Sequence, residues 1–465
     1  MWDDPYGDVI MKIIDPATEM VIADIPVDTA VGLSEKLVSL REGQKAWQRE
    51  TVEKRLTIIA RFSALVEAHK EELAKLLTAE TGKPLQQSLN EINGAHNRIH
   101  HLQANAARWL APETMVSEGA THEHIHYEPL GVVANISAWN FPYNVGFNVF
   151  LYALVAGNAV LYKPSEFASL TGIKIKELLW EAGVPKEVFE TAIGTGEVGQ
   201  AVLELDLNAY FFTGSYQTGK YIATQVAPKL VPVQLELGGK DPLYVMEDVA
   251  DVKQAAMNAA EGAFYNNGQS CCAIERMYVH EAIYEEFVAA LVEEVKSYSI
   301  GDPTDLTTFV GPLTREAQLE VLQKQVKNAI ENGAKLLCGG KAITGTGYYF
   351  EPTVLVNVTH EMEVMTAESF GPIIGIQQVK NDEEALELMQ DTPYGLTAAV
   401  FSTDQARAMA LLEQLDTGTV YWNCCDRVSP NVPWSGRGNS GLGATLSYQG
   451  IRAFVQPKAY HLRIR

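Results

Sequence analysis

The stretch GVVANI at residues 131–136 is the first of three short apolar runs that decide the fold of this chain. The other two runs are AVLY at 159–162 and FETAI at 189–193. A helix-like stretch follows each of the three runs, at about 145–156, 168–182 and 197–205. Strand-like runs that alternate with helices predict a parallel sheet with crossover helices. Because ligands bind such sheets beyond the carboxyl ends of the strands, the residues after each run are candidates for a binding site.

Two further regions flank this alternating core. Apolar residues spaced three, four and seven apart predict an amphipathic helix over 51–80, and the first hundred residues are expected to be mainly helical. A second alternating series from about 243 to 426 predicts another α/β domain. The turn-forming stretch GGKDP at 238–242 lies between the two series. Glu236 is therefore expected at the junction of two domains.

The composition argues against several classes of partner. Lys and Arg number 36 against 58 Asp and Glu in 465 residues, and a formal net charge of -22 opposes docking on nucleic acid or on an anionic membrane. No apolar run reaches the roughly 18 to 20 residues of a membrane span, and the first residues lack the features of a signal peptide. The five cysteines, which include two adjacent pairs, form a poor disulfide framework. We therefore expect a cytoplasmic protein with at least one reactive thiol.

Glu236 and Cys271 are the reactive side chains that the sequence singles out. Glu236 stands in LELGGK at 235–240, and Cys271 ends NNGQSC at 266–271. A carboxylate that takes a proton and a thiolate that attacks carbon are the two groups that form and then hydrolyse a covalent acyl intermediate. The glycine three residues before Cys271 allows a close approach of backbone to ligand, and nearby N–H groups can receive an oxyanion. Cys272 is expected to point elsewhere and to pack in the core.

Three segments that follow strand-like runs are candidates for cofactor binding. GTGEVG at 194–199 matches the dinucleotide pattern, but the acidic residue expected about 20 positions later is absent, so a plain glycine turn remains an alternative. KPSE at 163–166 places a cation and an anion three residues apart at a strand end. FTGS at 212–215 leads into a helix start, whose free N–H groups suit a phosphate, with a simple helix cap as the alternative. No metal site is expected, because the spacing typical of zinc ligands is absent at His96, His100, His122, His124 and His126.

Seven segments, in this order along nearly the whole chain, resemble those of the NAD(P)-dependent aldehyde dehydrogenase superfamily: WNFP (139–142), KPSE (163–166), FTGS (212–215), ELGGK (236–240), GQSC (268–271), ESFGP (368–372) and SGLG (440–443). The resemblance implies an α/β fold with a Rossmann-type cofactor domain, a second α/β catalytic domain and a small β extension for oligomerisation. It places the cofactor domain at 1–117 and 131–235 with 427–444 returning to it, the catalytic domain at 236–426, and the oligomerisation strands at 118–130 and 445–465.

The resemblance also implies a role for each matched residue. Cys271 would be the nucleophile, Asn140 with the Cys271 N–H the oxyanion hole, and Glu236 the base that activates water. Lys163 and Glu166 would hold the adenosine ribose. The full set implied for the cofactor is Trp139, Lys163, Ser165, Glu166, Gly196, Gly199, Phe212, Thr213, Gly214, Ser215, Leu237, Gly238, Glu368 and Phe370. One departure concerns proton transfer, since Val149 stands where many family members carry lysine.

The preferred cofactor and substrate follow from charged residues. Glu166 favours NAD, because a carboxylate accepts hydrogen bonds from a 2′-hydroxyl and repels a 2′-phosphate, although Lys163 beside it could tolerate NADP. Residues 423–428 resemble the substrate-entrance loop of the family, where Arg427 could attract the carboxylate of a semialdehyde acid such as succinate semialdehyde. A solvated Arg427 paired with Asp426 is the alternative. The opposite wall is expected to carry Tyr143, Asn144, Phe147 and Asn148.

Other functions on the same fold remain open at this point. A CoA-acylating relative would pass the thioester to CoA, although its branch typically lacks the carboxylate that Glu236 supplies. A relative that reduces acyl phosphates also uses a cysteine, and a structural protein would be expected to have lost a catalytic residue. The expected small-molecule partner is an aldehyde. Since 122–128 and 445–460 resemble strands without a core of their own, a homodimer or homotetramer is also expected.

Overall fold

The structure is a computed structural model that describes residues 9–464. The chain starts with an antiparallel hairpin that the sequence analysis did not predict, formed by β1 (Ile10–Ile14) and β2 (Val21–Pro26). Four helices follow: α1 (Ala30–Trp47), α2 (Val52–Ala68), α3 (Lys70–Thr81) and α4 (Leu85–Trp109). The single helix expected over 51–80 is two helices, because the backbone leaves helical geometry at His69 (φ -102°, ψ 10°).

Two antiparallel strands come next, β3 (Glu113–Glu118) and β4 (Thr121–Pro129). Most of β3 lies before the boundary predicted between 117 and 118, and it pairs with β4. The exposed polar sequence of β3 carries little of the apolar signal by which a strand is identified.

A parallel sheet of five strands then forms in the order β7-β6-β5-β8-β9. Its strands are β5 (Val132–Ile136), β6 (Ala159–Lys163), β7 (Phe189–Thr191), β8 (Ala209–Thr213) and β9 (Val233–Glu236). The intervening helices are α5 (Pro142–Ala156), α6 (Ser169–Ala182), α7 (Gly196–Glu204) and α8 (Tyr216–Val226). Every residue of β5, β6 and β8 is buried, as expected where helices cover both faces of a sheet. The predicted α/β class is confirmed.

The second sheet has the order β12-β13-β14-β11-β10-β16-β17, and only the edge strand β12 runs antiparallel. Its strands are β10 (Pro242–Val245), β11 (Arg276–His280), β12 (Lys335–Cys338), β13 (Thr353–Val356), β14 (Ile373–Val379), β16 (Thr397–Phe401) and β17 (Thr419–Trp422), and the two-residue β15 (Tyr394–Gly395) precedes β16. Its helices are α9 (Val252–Phe264), α10 (Tyr284–Ser297), α11 (Glu316–Glu331), α12 (Glu363–Thr366), α13 (Asp382–Gln390) and α14 (Gln405–Leu412). Glu236 thus ends the last long strand of the first sheet, immediately before the chain enters the second.

The end of the chain returns to the earlier sheets. Here β18 (Arg437–Gly438) pairs with β15, and β19 (Gly441–Leu442) joins the first sheet beside β9. The strand expected over 445–460 is instead a short helix, α15 (Ser447–Arg452), followed by β20 (Val455–Arg463). Strand β20 pairs with β4 and completes a three-stranded sheet. Among residues 9–464, the structure contains no helix with the length and apolar character needed to cross a bilayer.

Candidate active site

A cavity of about 500 Å³ lies between the two sheets, and both Cys271 and Glu236 line it. The first unit contributes residues of α4 and α5. The second contributes the Cys271 loop, residues of α9 and the segment 423–428. The structure therefore brings the two reactive side chains into one space, although thirty-five positions separate them in the sequence.

The loop that carries Cys271 is held in an unusual backbone conformation. Asn266, Asn267 and Gly268 have positive φ values of 53°, 57° and 68° in succession. The Asn266 side chain stabilises this turn, because its amide donates to the carbonyls of Asn140 and Gln269 at 3.2 and 3.1 Å. A Cβ at Gly268 would collide with the Gly371 carbonyl, so this position requires glycine. The turn fixes the backbone three residues before Cys271.

Asn140 lies against the same loop. Its Nδ2 donates to the Gln269 carbonyl at 3.1 Å, and only 4 % of the residue is exposed. One of its two amide hydrogens therefore holds the backbone just before Cys271, while the other is available to an oxyanion. Asn140 does not itself line the cavity, and it contacts the Cys271 loop through the Gln269 carbonyl.

Glu236 is a buried carboxylate with a hydroxyl partner. The residue is 6 % exposed, and the Thr445 hydroxyl donates to its Oε1. Burial raises the pKa of Glu236 to about 7, whereas hydrogen bonds from Thr445 and Thr213 and the charge of Arg98 lower it. A carboxyl group that titrates near neutral pH can both take and release a proton under working conditions, as a general base requires.

Cys272 packs in the core as expected, but it does not point away from the site. It is 3 % exposed, but it lines the cavity and its thiol donates to Asp426 Oδ1 at 3.0 Å. A hydrogen bond with the Cys271 thiol and burial raise the pKa of Cys272 well above its usual value. Burial also raises the pKa of Asp426 to about 6. Cys272 is therefore held as a protonated thiol, and Cys271 is the better nucleophile of the pair.

The residues predicted for the cofactor occupy strand ends and helix starts in the first unit. Lys163 ends β6, and Ser165 and Glu166 follow it. The segment 212–215 ends β8 and opens α8, and Gly196 and Gly199 lie in the first turn of α7. Lys163 is 4 % exposed, and burial lowers its pKa. At the start of α8 the Ser215 hydroxyl accepts from the Thr218 N–H at 3.4 Å. This end of the sheet fits a dinucleotide, because it offers a cation, an anion and free helix N–H groups together.

Glu368 faces the loop that follows Glu236. Its Oε1 accepts from the Gly239 N–H at 3.2 Å, and a Cβ at Gly238 would collide with its carboxylate. Glycine at 238 thus leaves the space that Glu368 fills, with Leu237 buried before it. Burial, assisted by the charge of Glu275, raises the pKa of Glu368 to about 8.

Phe370 and Trp139 bring the two units together beside Glu368. Their ring centroids lie 5.6 Å apart, edge to face, and Phe370 has a positive φ of 47°. A bulky residue adopts that backbone conformation only where its surroundings impose it. The edge-to-face contact thus places the loop that carries Glu368 and Phe370 against the WNFP segment.

The expected substrate wall is only half correct. Asn144 and Asn148 line the cavity, but Tyr143 and Phe147 do not. Tyr143 is fully buried with its hydroxyl donating to the Leu73 carbonyl at 3.3 Å, and Phe147 packs against Phe62 with centroids 5.4 Å apart. The helical repeat explains the error, since residues four apart share a face of α5 while their neighbours turn into the core.

Several lining residues escaped the sequence analysis. Arg98 and Glu91 both line the cavity, and Glu91 is paired with Lys83 in a buried ion pair. Glu91 and Arg98 are seven residues apart in α4, a spacing that places two charged residues on one helix face and could have identified them. Arg427 is exposed at the mouth of the cavity and makes no ion pair with another residue of the described chain.

Comparisons with known proteins identify the family. Residues 2–460 match the family model described as the aldehyde dehydrogenase family. Aminoaldehyde dehydrogenase 2 of Pisum sativum is 35 % identical over 98 % of this chain and 93 % of its own length. Among solved structures, an NAD-dependent aldehyde dehydrogenase from Sinorhizobium meliloti aligns with a TM-score of 0.95 and 31 % identity, covering 98 % of this chain and 91 % of that one. An NADP-dependent enzyme of E. coli aligns with a TM-score of 0.95 and 30 % identity, covering 98 % and 95 %. The chain thus belongs to the aldehyde dehydrogenase family of NAD(P)-dependent oxidoreductases.

Proposed function

We propose that this enzyme oxidises an aldehyde to the carboxylic acid, with Cys271 as nucleophile and Glu236 as the base. The observation that carries the proposal is that both side chains line one cavity, at the edge of a dinucleotide-type sheet. Asn140 and the Cys271 N–H form the oxyanion hole in this proposal. The loop hydrogen bonds of Asn140 and Asn266 support it, because oxyanion donors must be fixed before charge develops.

The reaction uses these groups in two stages. The Cys271 thiolate attacks the carbonyl carbon, and the resulting alkoxide of the thiohemiacetal lies against the oxyanion donors. A nicotinamide cofactor held beside Glu368 and Phe370 would supply the hydride acceptor that converts this carbon to the thioester level. Glu236 then removes a proton from water, the oxygen attacks the thioester, and the acid leaves as the Cys271 thiolate is restored. The pKa of Glu236 near 7 suits this second stage.

Hydrolysis is the fate of the thioester that the site supports best. Glu236 lies in the cavity with Cys271, and Thr445 orients its carboxylate. An enzyme that passes the acyl group to CoA or phosphate has no need of a base that activates water. The position of Glu236 therefore favours release of the free acid.

NAD is the preferred cofactor in this proposal, with NADP also accepted. Glu166 follows β6 at the end where the ribose would lie, and the Ser165 hydroxyl donates to its Oε2 at 3.3 Å. Lys163, Ser215, Glu368 and Phe370 complete the contacts. Solved structures similar to this chain include both an NAD-dependent aldehyde dehydrogenase and an NADP-dependent enzyme, which agrees with a family that uses either dinucleotide.

The substrate in this proposal is a semialdehyde acid such as succinate semialdehyde, which Arg427 attracts at the entrance. Arg427 is exposed at the mouth, so its charge is available to an incoming anion. The competing class is a cationic aldehyde, since the relative from Pisum sativum is an aminoaldehyde dehydrogenase. The Arg427→Ala variant is expected to raise KM for succinate semialdehyde far more than KM for a neutral aldehyde, and equal effects would exclude this role.

The test of the reaction is a panel of aldehydes with NAD, followed at the absorbance of the reduced cofactor. Wild type is expected to oxidise members of the panel, and Cys271→Ala to abolish that oxidation. Cys272→Ala is the matched control and is expected to retain activity. Activity that survives Cys271→Ala would show that another residue is the nucleophile.

We propose in addition that the protein is cytoplasmic and assembles as a homodimer or homotetramer. All five cysteines are free thiols, in keeping with a reducing compartment. The small sheet has β20 and β3 at its two edges, and both strands are largely exposed. Open strand edges invite pairing with another copy. A monomer by light scattering at micromolar concentration would contradict the assembly.

A further inference from the structure

Arg98 is a buried cation in the wall of the catalytic cavity. It belongs to α4, is 9 % exposed, and lines the same space as Cys271 and Glu236. Its guanidinium carries five N–H donors, yet the only hydrogen bond that it donates to the described part of the chain is from Nη1 to Asn144 Oδ1. Its Nε is buried without any partner. A buried charged group with unused donors is costly, so a ligand in the cavity that accepts hydrogen bonds from the guanidinium would lower that cost.

The nearby acidic residues favour the charged form of Arg98, but none of them forms an ion pair with it. Glu91, on the same helix, forms an ion pair with Lys83 and accepts the Tyr143 N–H at 2.9 Å at the start of α5. Glu236 has the Thr445 hydroxyl as its partner. Within the described residues 9–464, Arg98 forms no ion pair closer than 4 Å. The positive charge of Arg98 is therefore directed to the cavity, while Glu91 is already satisfied.

The residues around Arg98 leave room for a polar ligand. A Cβ at Gly94, one turn earlier, would lie 3.4 Å from Arg98 Nη1, so glycine keeps this side of the guanidinium open. Asn148, one turn beyond Asn144 in α5, also lines the cavity, and its Oδ1 is buried with no hydrogen-bond partner. Two unsatisfied polar side chains on facing helices thus border the same part of the cavity.

We propose that Arg98 is a specificity-determining residue that binds the carboxylate of a semialdehyde acid at the end of the substrate remote from the aldehyde. The inference rests on the proposed oxidation of aldehydes and assigns the substrate class to this inner site. A guanidinium fork matches the two oxygens of a carboxylate. The ammonium of an aminoaldehyde placed beside the guanidinium would instead be repelled by its positive charge. Arg427 at the mouth attracts the anion, and Arg98 holds it.

The experiment compares Arg98→Met with wild type on succinate semialdehyde and on butanal, a neutral aldehyde of the same chain length. Loss of a charged hydrogen-bond pair is expected to lower kcat/KM for succinate semialdehyde about 10- to 100-fold, mainly through KM. The value for butanal is expected to stay within about twofold. Arg108→Met is the matched control, because Arg108 is an exposed arginine of the same helix. Arg108→Met should leave kcat/KM unchanged for both substrates.

A binding measurement separates this inference from the proposed reaction. Succinate is expected to raise the Tm of wild type and of Cys271→Ala, and to lose that effect in Arg98→Met. Arg98→Lys keeps the positive charge but lacks the planar guanidinium, and it should show a KM for succinate semialdehyde between those of wild type and Arg98→Met. If Arg98→Met does not fold, the KM of Arg98→Lys tests the role of Arg98 instead. Equal losses on both aldehydes, or succinate protection that survives Arg98→Met, would overturn the role of Arg98. Protection by succinate in a protein that oxidises no aldehyde would leave the role intact and refute the proposed reaction.

Discussion

The hydroxyl of Thr445 is expected to set the pH at which Glu236 becomes active. Burial raises the pKa of Glu236 to about 7, and the Thr445 hydrogen bond is the largest influence that opposes this rise. A hydrogen bond to a charged group contributes about 1.5–3 kcal/mol, and about 1.4 kcal/mol corresponds to one pH unit. Thr445→Val, which preserves the shape of the side chain, should therefore move the acid limb of thioester hydrolysis upward by about one pH unit or more.

The assay measures kcat between pH 5.5 and 9.5 at saturating aldehyde and NAD, together with the rapid burst of reduced cofactor that precedes hydrolysis. Below the new midpoint the variant should keep its burst and lose steady-state turnover, because only the hydrolytic step needs ionised Glu236. Thr445→Ser keeps the hydroxyl and is the control. The backbone of Thr445 also bonds Trp434 in both directions, at 2.8 and 2.9 Å, and neither substitution removes these contacts. An unmoved acid limb, or an equal movement in the serine variant, would refute the reasoning.

Three further predictions concern neighbouring groups. Because the pKa of Glu236 is raised, its contribution to the free energy of unfolding is full below about pH 4.5 and is lost as pH rises through about 7, a loss of about 3 kcal/mol. Glu236→Gln should therefore unfold at a higher urea concentration than wild type at pH 8.5. A stabilisation by Glu236→Gln that is no larger at pH 8.5 than at pH 5 would contradict this. Gly238→Ala should raise KM for NAD about tenfold, because its Cβ displaces the Glu368 carboxylate; an unchanged KM would exclude that contact. Glu166→Ser should raise kcat/KM for NADP relative to NAD by about tenfold, through loss of a carboxylate that repels the 2′-phosphate, and a shift towards NAD would show that Glu166 plays a different part.

Short-range patterns predicted most of the elements. The apolar runs before Lys163 and Thr213 became β6 and β8 because strands covered on both faces are continuously apolar. The apolar pattern failed in two places. Strand β3 is polar, and the short helix α15 begins at Ser447, which has a positive φ like Leu446 before it. Neither case leaves a periodic apolar signal, so hydrogen bonding to a partner strand or local turn geometry decides the structure.

The two residues proposed as catalytic could be singled out from the sequence because each lies in a local motif, whereas the residues of the cavity wall could not. Tyr143 and Asn144 are adjacent, and only the packing of α5 on α4 decides that the tyrosine is buried and the asparagine faces the cavity. Arg98 lies in no motif, and its importance depends on which acids are already paired. Lys83 engages Glu91 only in the folded chain. A sequence shows how many charges are present, but the structure shows which of them lack a partner.

This distinction bears on the lysine that Val149 replaces. Val149 is 2 % exposed and packs in the core, so it offers nothing to proton transfer. Arg98 is the cation whose charge lowers the pKa of Glu236 in this cavity. If a substrate carboxylate pairs with Arg98, part of that influence is neutralised and the pKa of Glu236 rises. Glu236 then becomes a stronger base once the substrate is bound, so that recognition of the anion and activation of water are coupled through one guanidinium.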